Sequence, residues 1–279
     1  MSLVKEYYWE QNYPLVRVNG LGSREFLNGQ TTANIKSANE DIIFGSCWLN
    51  SSGRLLAILG VRLDTSGADV VILSGNSHIF RENLESISFP ADKVDIGPVT
   101  SIRQIEIFGV NNAERFKNLI WLSDSDSLPE ELNNMKRATE IEFKQWSVTR
   151  GFPLTLNELD SDLNPFELGL YDLVSLDKGC YLGQEKIAKL LRSGESRYKL
   201  RCWESESKVL VGDKLSIYGD QSKKNVGKII SSTKIYSSNK QIGLAIIAKK
   251  AFNESHLIIG RSLTKVQFKE PWGCVYRED

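Results

Sequence analysis

Only two histidines, His78 and His256, occur among 279 residues, so a histidine-rich metal centre is excluded. The four cysteines, Cys47, Cys180, Cys202 and Cys274, are widely scattered and none forms a C-x-x-C pair. That spacing argues against a zinc knuckle or a thioredoxin-like site and makes reduced thiols the default. Lys plus Arg and Asp plus Glu both number 35, so neither sign of charge is in excess. No overall field draws the chain to nucleic acid or to an acidic membrane, and direct nucleic-acid binding is not expected. No window reaches the apolar length of a bilayer span, and Met1 to Glu10 shows no basic region followed by an apolar one. A cytoplasmic, membrane-free protein is expected, with room left for a removed organellar presequence.

With 41% hydrophobic and 25% charged residues, the composition is that of a globular protein. The length suits one large or two ordinary domains. The most informative stretch is Lys178-Gly179-Cys180-Tyr181-Leu182-Gly183-Gln184-Glu185. Two glycines bracket a cysteine and an aromatic residue, and Ile187, Leu190 and Leu191 follow at helical spacing. The pattern predicts a tight loop feeding a helix N-terminus, where free backbone N–H groups and close backbone approach suit an anion or a thiolate. Lys178 and the helix start would both lower the Cys180 thiol pKa. A small residue chosen for packing is the other reading of Cys180.

Along the chain, Leu15–Gly20 alternates as a strand, Ser23 is positioned to cap a short helix carrying Phe26 and Leu27, and Gly29 to end it. The runs 44–49, 54–63 and 69–73 read as strands, the last two joined as a hairpin through Asp64-Thr65-Ser66-Gly67. A helix follows from Asn76, then strands near 94–96 and 102–108, and helical stretches at 113–119 and 132–135. After Gly194 the texture changes to short apolar runs separated by turn residues, as in a small barrel or sandwich. The domains expected are residues 1–195 and 196–279.

The octet K-G-C-Y-x-G-Q-E resembles the signature of the YgfZ-type family, folate-binding proteins related to the T-protein, the aminomethyltransferase of the glycine cleavage system. Val18–Asn34, Trp146–Pro153, Pro165-Phe166-Glu167 with Leu170, Gly227–Ser231 and Gly243–Ala245 resemble further segments of that family. The resemblance implies an α+β fold: a T-protein-like folate-binding body of mixed or antiparallel sheets with helices, followed by a small C-terminal β-barrel. It implies tetrahydrofolate, or a one-carbon derivative, as ligand.

The same resemblance makes Cys180 the reactive group, tuned by Lys178, with Gly179 and Gly183 shaping the loop. Tyr181, Gln184 and Glu185 complete the folate-binding stretch, Gln184 and Glu185 fixing the loop by hydrogen bonds or acting as a cap. Glu158 stands where relatives set a carboxylate against the pterin, whose adjacent N–H donors suit a bidentate acceptor. Glu167 is a second such candidate. Arg192, with Lys186, Lys189 and their neighbours, would meet the carboxylates of the glutamate tail; a solvated helix face is the other reading of these cations.

T-proteins carry roughly N-x-x-G-G-x-x-D-D after the first sheet, and their aminomethyl transfer depends on an Asp there. Here the stretch reads Asn50-Ser51-Ser52-Gly53-Arg54-Leu55-Leu56-Ala57-Ile58. An apolar side chain neither moves a proton nor steadies a developing charge. The Gly53-Arg54 pair instead resembles the YgfZ-type branch, which is implicated in folate-dependent assembly or repair of iron–sulfur clusters. Client enzymes or assembly factors are the partners this implies. A folate-dependent aminomethyltransferase or methyltransferase, a folate-dependent tRNA-modification factor, and a folate-binding interaction platform are the alternatives.

Overall fold

The computed structural model describes residues 6–109, 115–152, 162–194, 196–219, 224–235, 238–259 and 264–276. The chain divides into two interleaved units, Met1–Ala138 with Asp172–Lys189, and Thr139–Tyr171 with Leu190–Asp279.

The first unit is a seven-stranded sheet ordered β2-β3-β4-β1-β5-β6, with β7 added parallel to β1 and all other pairings antiparallel. Its strands are β1 (Tyr7–Asn19), β2 (Phe44–Leu49), β3 (Leu55–Asp64), β4 (Gly67–Ser74), β5 (Asp95–Phe108), β6 (Leu119–Leu122) and β7 (Lys136–Arg137). Alternation along β1 buries Val16 and Val18 on one face, and Tyr13 is buried at odd spacing from them. One face of β1 to β4 packs Val16, Val18, Ala57, Leu59, Val61 and Val70 against Phe26 and Leu27 of helix α1 (Ser23–Gln30) and Phe80 and Leu84 of helix α2 (Ser77–Ile87). Each such fully buried Leu or Phe is worth roughly 1.5–3 kcal/mol.

Several local expectations are corrected here. Ser23 is not the cap of α1 but its first, buried residue; the cap is Gly22, with no side-chain bond. A Cβ on Gly22 would overlap the Asp92 carbonyl oxygen, so packing leaves no room for a capping side chain. The helix also runs through Gly29 and stops at Thr31. The two strands expected near 94–108 are one strand, because the long β1 pairs with it from Asp95 to Phe108. Leu119 opens β6, so the helix expected at 113–119 does not reach it, and its start lies outside the described residues. Helix α2 is as expected, capped by Asn76 Oδ1 accepting from the N–H groups of His78 and Ile79, both at 3.1 Å.

The second unit contains helix α3 (Glu140–Arg150) and strands β8 (Tyr198–Ser205), β9 (Lys214–Ser216), β10 (Gly227–Ile229), β11 (Thr233–Lys234), β12 (Gln241–Ala248), β13 (His256–Ile259) and β14 (Thr264–Lys269). The order β10-β9-β13-β14-β8-β12 closes on itself through β10–β12 pairing, giving a six-stranded barrel with β11 attached to β12. Closure removes the sheet edges. Trp203, Leu215, Ile229, Ile247, Leu257 and Phe268 fill the interior. Helix α3 starts at a capping box, Thr139 with Glu142, and ends at Gly151 in the left-handed conformation. Among the described residues no helix is long and apolar enough to cross a membrane.

Candidate functional site

The octet runs into helix α4 (Gln184–Ser193), as the glycines and apolar spacing predict. Two anchors in the first unit fix the loop. At one end, Lys178 is buried and its Nζ donates to the carbonyls of Thr31 and Ala33, both at 2.6 Å, while standing 5.0 Å from the centre of the Tyr181 ring. Burial pushes this ammonium down to about 7. At the other end, Gly183 has φ +83°, and a Cβ there would lie 2.6 Å from the Asn50 carbonyl oxygen and 3.1 Å from the Gly53 Cα.

The turn that Gly183 meets is itself closed. Asn50 Oδ1 accepts from the N–H groups of Ser52 and Arg54, and the Asn50 carbonyl accepts from Gly53 N–H at 2.9 Å. Gly53, at φ +73°, sits below Lys186 of α4, whose Cβ would be 3.0 Å from any Cβ added to it. The stretch that distinguishes the two branches of the resemblance therefore packs directly on the octet. Beyond it, Ala57 and Ile58 are both wholly buried on β3, so neither position carries a group able to exchange a proton.

Between the anchors the side chains divide. Gly179 and Cys180 are exposed, and a Cβ on Gly179 would meet nothing within 4 Å. Tyr181 is buried, and its hydroxyl has no hydrogen-bond partner among the described residues. Burial, aided by nearby Cys47, pushes this phenol up to about 12. Gln184 is half-buried and Glu185 exposed. The side-chain hydrogen bonds expected from this pair are not present among the described residues; the Gln184 N–H donates to the Tyr181 carbonyl instead. Arg192, Lys186 and Lys189 are exposed on α4 without ion pairs among the described residues.

Two residues outside the predicted set hold this region together. Thr32 is wholly buried; its hydroxyl donates to the Leu173 carbonyl at 2.6 Å and accepts from the Cys47 N–H at 2.8 Å, and its carbonyl accepts from the Ser175 N–H. Thr31, beside it, bridges to Trp48. The Gln30–Asn34 stretch was legible as polar and tight, and two buried threonines in a row are the signal within it. The Cys47 thiol is pushed up by burial, and with it Cys47 is an inert packing residue.

Glu158 lies outside the described residues. Glu167, in the second unit, is a structural strut: its carboxylate accepts from the Asn164 N–H at 3.1 Å and the Arg197 N–H at 3.3 Å. In the first unit a cleft of about 810 Å³, bordered by Ala33, Phe44, Arg115, Asp172 and Ser175, adjoins the threonine pair.

A solved glycine cleavage aminomethyltransferase from Bartonella henselae superposes on 98% of this chain and 89% of its own length, with a TM-score of 0.75 and 14% identity. The fold, sheet body and closed barrel together, is thus that of the T-protein. No family model matches the chain. A chloroplastic protein of Arabidopsis thaliana named as a candidate transferase is 21% identical over 302 aligned positions, covering 92% of this chain and 68% of its own. The tRNA-modifying protein YgfZ of Buchnera aphidicola is 23% identical over 244 positions, covering 75% of this chain and 74% of its own. The chain is a relative of YgfZ-type proteins, related in turn to the T-protein.

Proposed function

We propose that this chain binds tetrahydrofolate, or a one-carbon derivative, beside the octet, and that Cys180 acts with it in the assembly or repair of iron–sulfur enzymes. The observation that carries the reading is an exposed cysteine on a loop pinned at both ends, by Lys178 on Thr31 and Ala33 and by Gly183 on Asn50. The residues present suit folate. Gly179 leaves its backbone uncovered, the Tyr181 hydroxyl has no partner among the described residues, and Lys186, Lys189 and Arg192, without ion pairs among those residues, offer cations to glutamate carboxylates. Bound folate would supply a carrier for one-carbon units. The protein's part is to hold it by the loop backbone and the cations, and to present the Cys180 thiol.

Aminomethyl transfer of the glycine-cleavage kind is not part of this reading, since Ala57 and Ile58 offer no carboxylate. A single exposed thiol also falls short of the several thiolates a resident cluster takes, so clients or assembly factors are the expected partners. The name of the Buchnera relative favours a second reading, a folate-dependent step in tRNA modification. Equal numbers of acidic and basic residues speak for an indirect role there. A cytoplasmic location is the simplest reading, and the chloroplastic relative admits an organellar one.

Calorimetric titration of tetrahydrofolate into wild type, Cys180→Ser and Lys186→Glu/Lys189→Glu tests the proposal. Saturable binding is expected in wild type and Cys180→Ser, with the charge-reversed protein weaker by about tenfold or more. In cells, Cys180→Ser should lower iron–sulfur enzyme activities without lowering protein level. Absence of binding in folded wild type removes folate from the reading. Loss of tRNA modification with unchanged iron–sulfur enzyme activities selects the second reading.

A further inference from the structure

A cavity of about 210 Å³ lies within the second unit, lined in part by Leu190, Leu191 and Gly194 on either side of Arg192 and by no residue of the octet itself. Four of its lining residues are aromatic. Phe166 and Tyr171 stand with ring centres 5.3 Å apart and planes tilted by 40°, and Phe252 and Tyr276 contribute two further rings. Tyr276 is held by its hydroxyl, which donates to the Leu200 carbonyl at 2.7 Å.

Asn164 and Lys249 line this space from opposite extremes of exposure. Asn164 is only 2% exposed. Its Oδ1 accepts from the N–H groups of Phe166 at 3.0 Å and Glu167 at 3.2 Å, and its amide NH2 makes no hydrogen bond among the described residues. An amide NH2 is a donor only, so on a cavity wall its natural complement is an acceptor brought by a ligand. Lys249 is exposed and has no ion pair among the described residues, whereas the other lining lysine, Lys199, is held 3.1 Å from Glu270 and lies over the Tyr276 ring. Among the described residues one free cation at the cavity thus remains to meet an anion.

We infer that this cavity is a second binding site, for a small monocyclic aromatic carboxylate bearing a hydrogen-bond acceptor on its ring. The ring lies among Phe166, Tyr171, Phe252 and Tyr276, the acceptor takes the Asn164 NH2, and the carboxylate meets Lys249. Size agrees: an apolar cavity of about 150 Å³ holds benzene, so the somewhat larger space here takes one substituted ring and not a folate. The aromatic walls favour a flat π-face over a saturated ring of equal charge.

The probe is 4-hydroxybenzoate, titrated calorimetrically into the full chain. Saturable binding is expected with a Kd on the order of 1 mM, in the range for a ligand of this size. Lys249→Glu, an exposed substitution that leaves folding intact, should weaken it about tenfold or more, and cyclohexanecarboxylate should bind wild type about tenfold more weakly. Asn164→Asp, which keeps the two backbone acceptor bonds and removes the donor, should weaken the probe by a similar factor. No saturable heat from folded wild type overturns the inference. So does unchanged affinity in Lys249→Glu, which would move the probe to another site, or equal binding of the saturated acid. Tetrahydrofolate binding should be unaltered in Lys249→Glu, so failure here is separable from failure at the octet.

Discussion

Replacing each glycine of the octet by alanine should give opposite results. Gly183 is at φ +83°, where an alanine costs about 1–2 kcal/mol relative to its preferred conformations. Its new Cβ would sit 2.6 Å from the Asn50 carbonyl oxygen and 3.1 Å from the Gly53 Cα. Both are backbone atoms of a turn closed by its own hydrogen bonds, so relief requires moving the turn or the start of α4, a further ~1–3 kcal/mol. Against this, alanine restricts the unfolded chain and returns ~0.4–1 kcal/mol. The net loss is about 2–4 kcal/mol. Gly179 has neither a left-handed backbone nor any atom within 4 Å of its Cβ, so Gly179→Ala should remain within about 1 kcal/mol of wild type. Urea unfolding followed by tryptophan fluorescence measures both, and at ~2 kcal/mol per molar the Gly183 variant should shift by roughly 1–2 M. A Gly183→Ala midpoint close to wild type, or a Gly179→Ala loss of similar size, refutes the reasoning. The folate titration adds a second dissociation, because Gly179→Ala should weaken the ligand while leaving the fold alone.

Lys178, held near 7 against an unfolded value of about 10.4, binds fewer protons when folded than when unfolded between those limits. Its burial cost is therefore complete below pH 7 and is relieved as pH rises, so wild type should gain stability over Lys178→Met between pH 7 and 9, at no more than about 1.4 kcal/mol per pH unit; parallel curves would count against it. Alkylation by iodoacetamide, mapped by mass spectrometry, should mark Cys180 before the partly covered Cys202 and Cys274, with the fully buried Cys47 last. Ala57→Asp should lose about 3 kcal/mol or more by burying an unpaired carboxylate beside Trp48, and should gain no glycine-cleavage turnover; a melting temperature equal to wild type would show the site more open than described.

The loop feeding α4 was readable because its cues are local: glycine, then apolar residues at helical spacing. Why Gly183 must be glycine was not readable, since the atom it meets belongs to Asn50, far away in the chain. Lys178 read as a partner for Cys180 two residues on, yet its ammonium serves carbonyls 147 and 145 residues away. Strand texture after Gly194 was plain, but closure depends on the β10–β12 pairing, which no single run reveals. The strands near 94–96 and 102–108 read as separate, and the length of β1 carries pairing through the residues between them. Helix α3 had a usable signal in Thr139 and Glu142 that the weak apolar stripe behind it concealed.

The interleaving of the two units bears on synthesis. Residues 172–189, with the octet among them, belong with the first unit although residues 139–171 belong with the second. A growing chain therefore makes most of the first sheet long before the segment that ties Thr31, Thr32 and Asn50 together has been added. Contacts of that sequence separation are slow to form and leave surface uncovered meanwhile. Fragments cut at the change of texture after Gly194 inherit the same difficulty, since residues 196–279 lack both α3 and the Leu170 bridge to Val275. The loop bearing Cys180 thus acts as a late clasp: the thiol takes up its pinned position only once most of the body has been made.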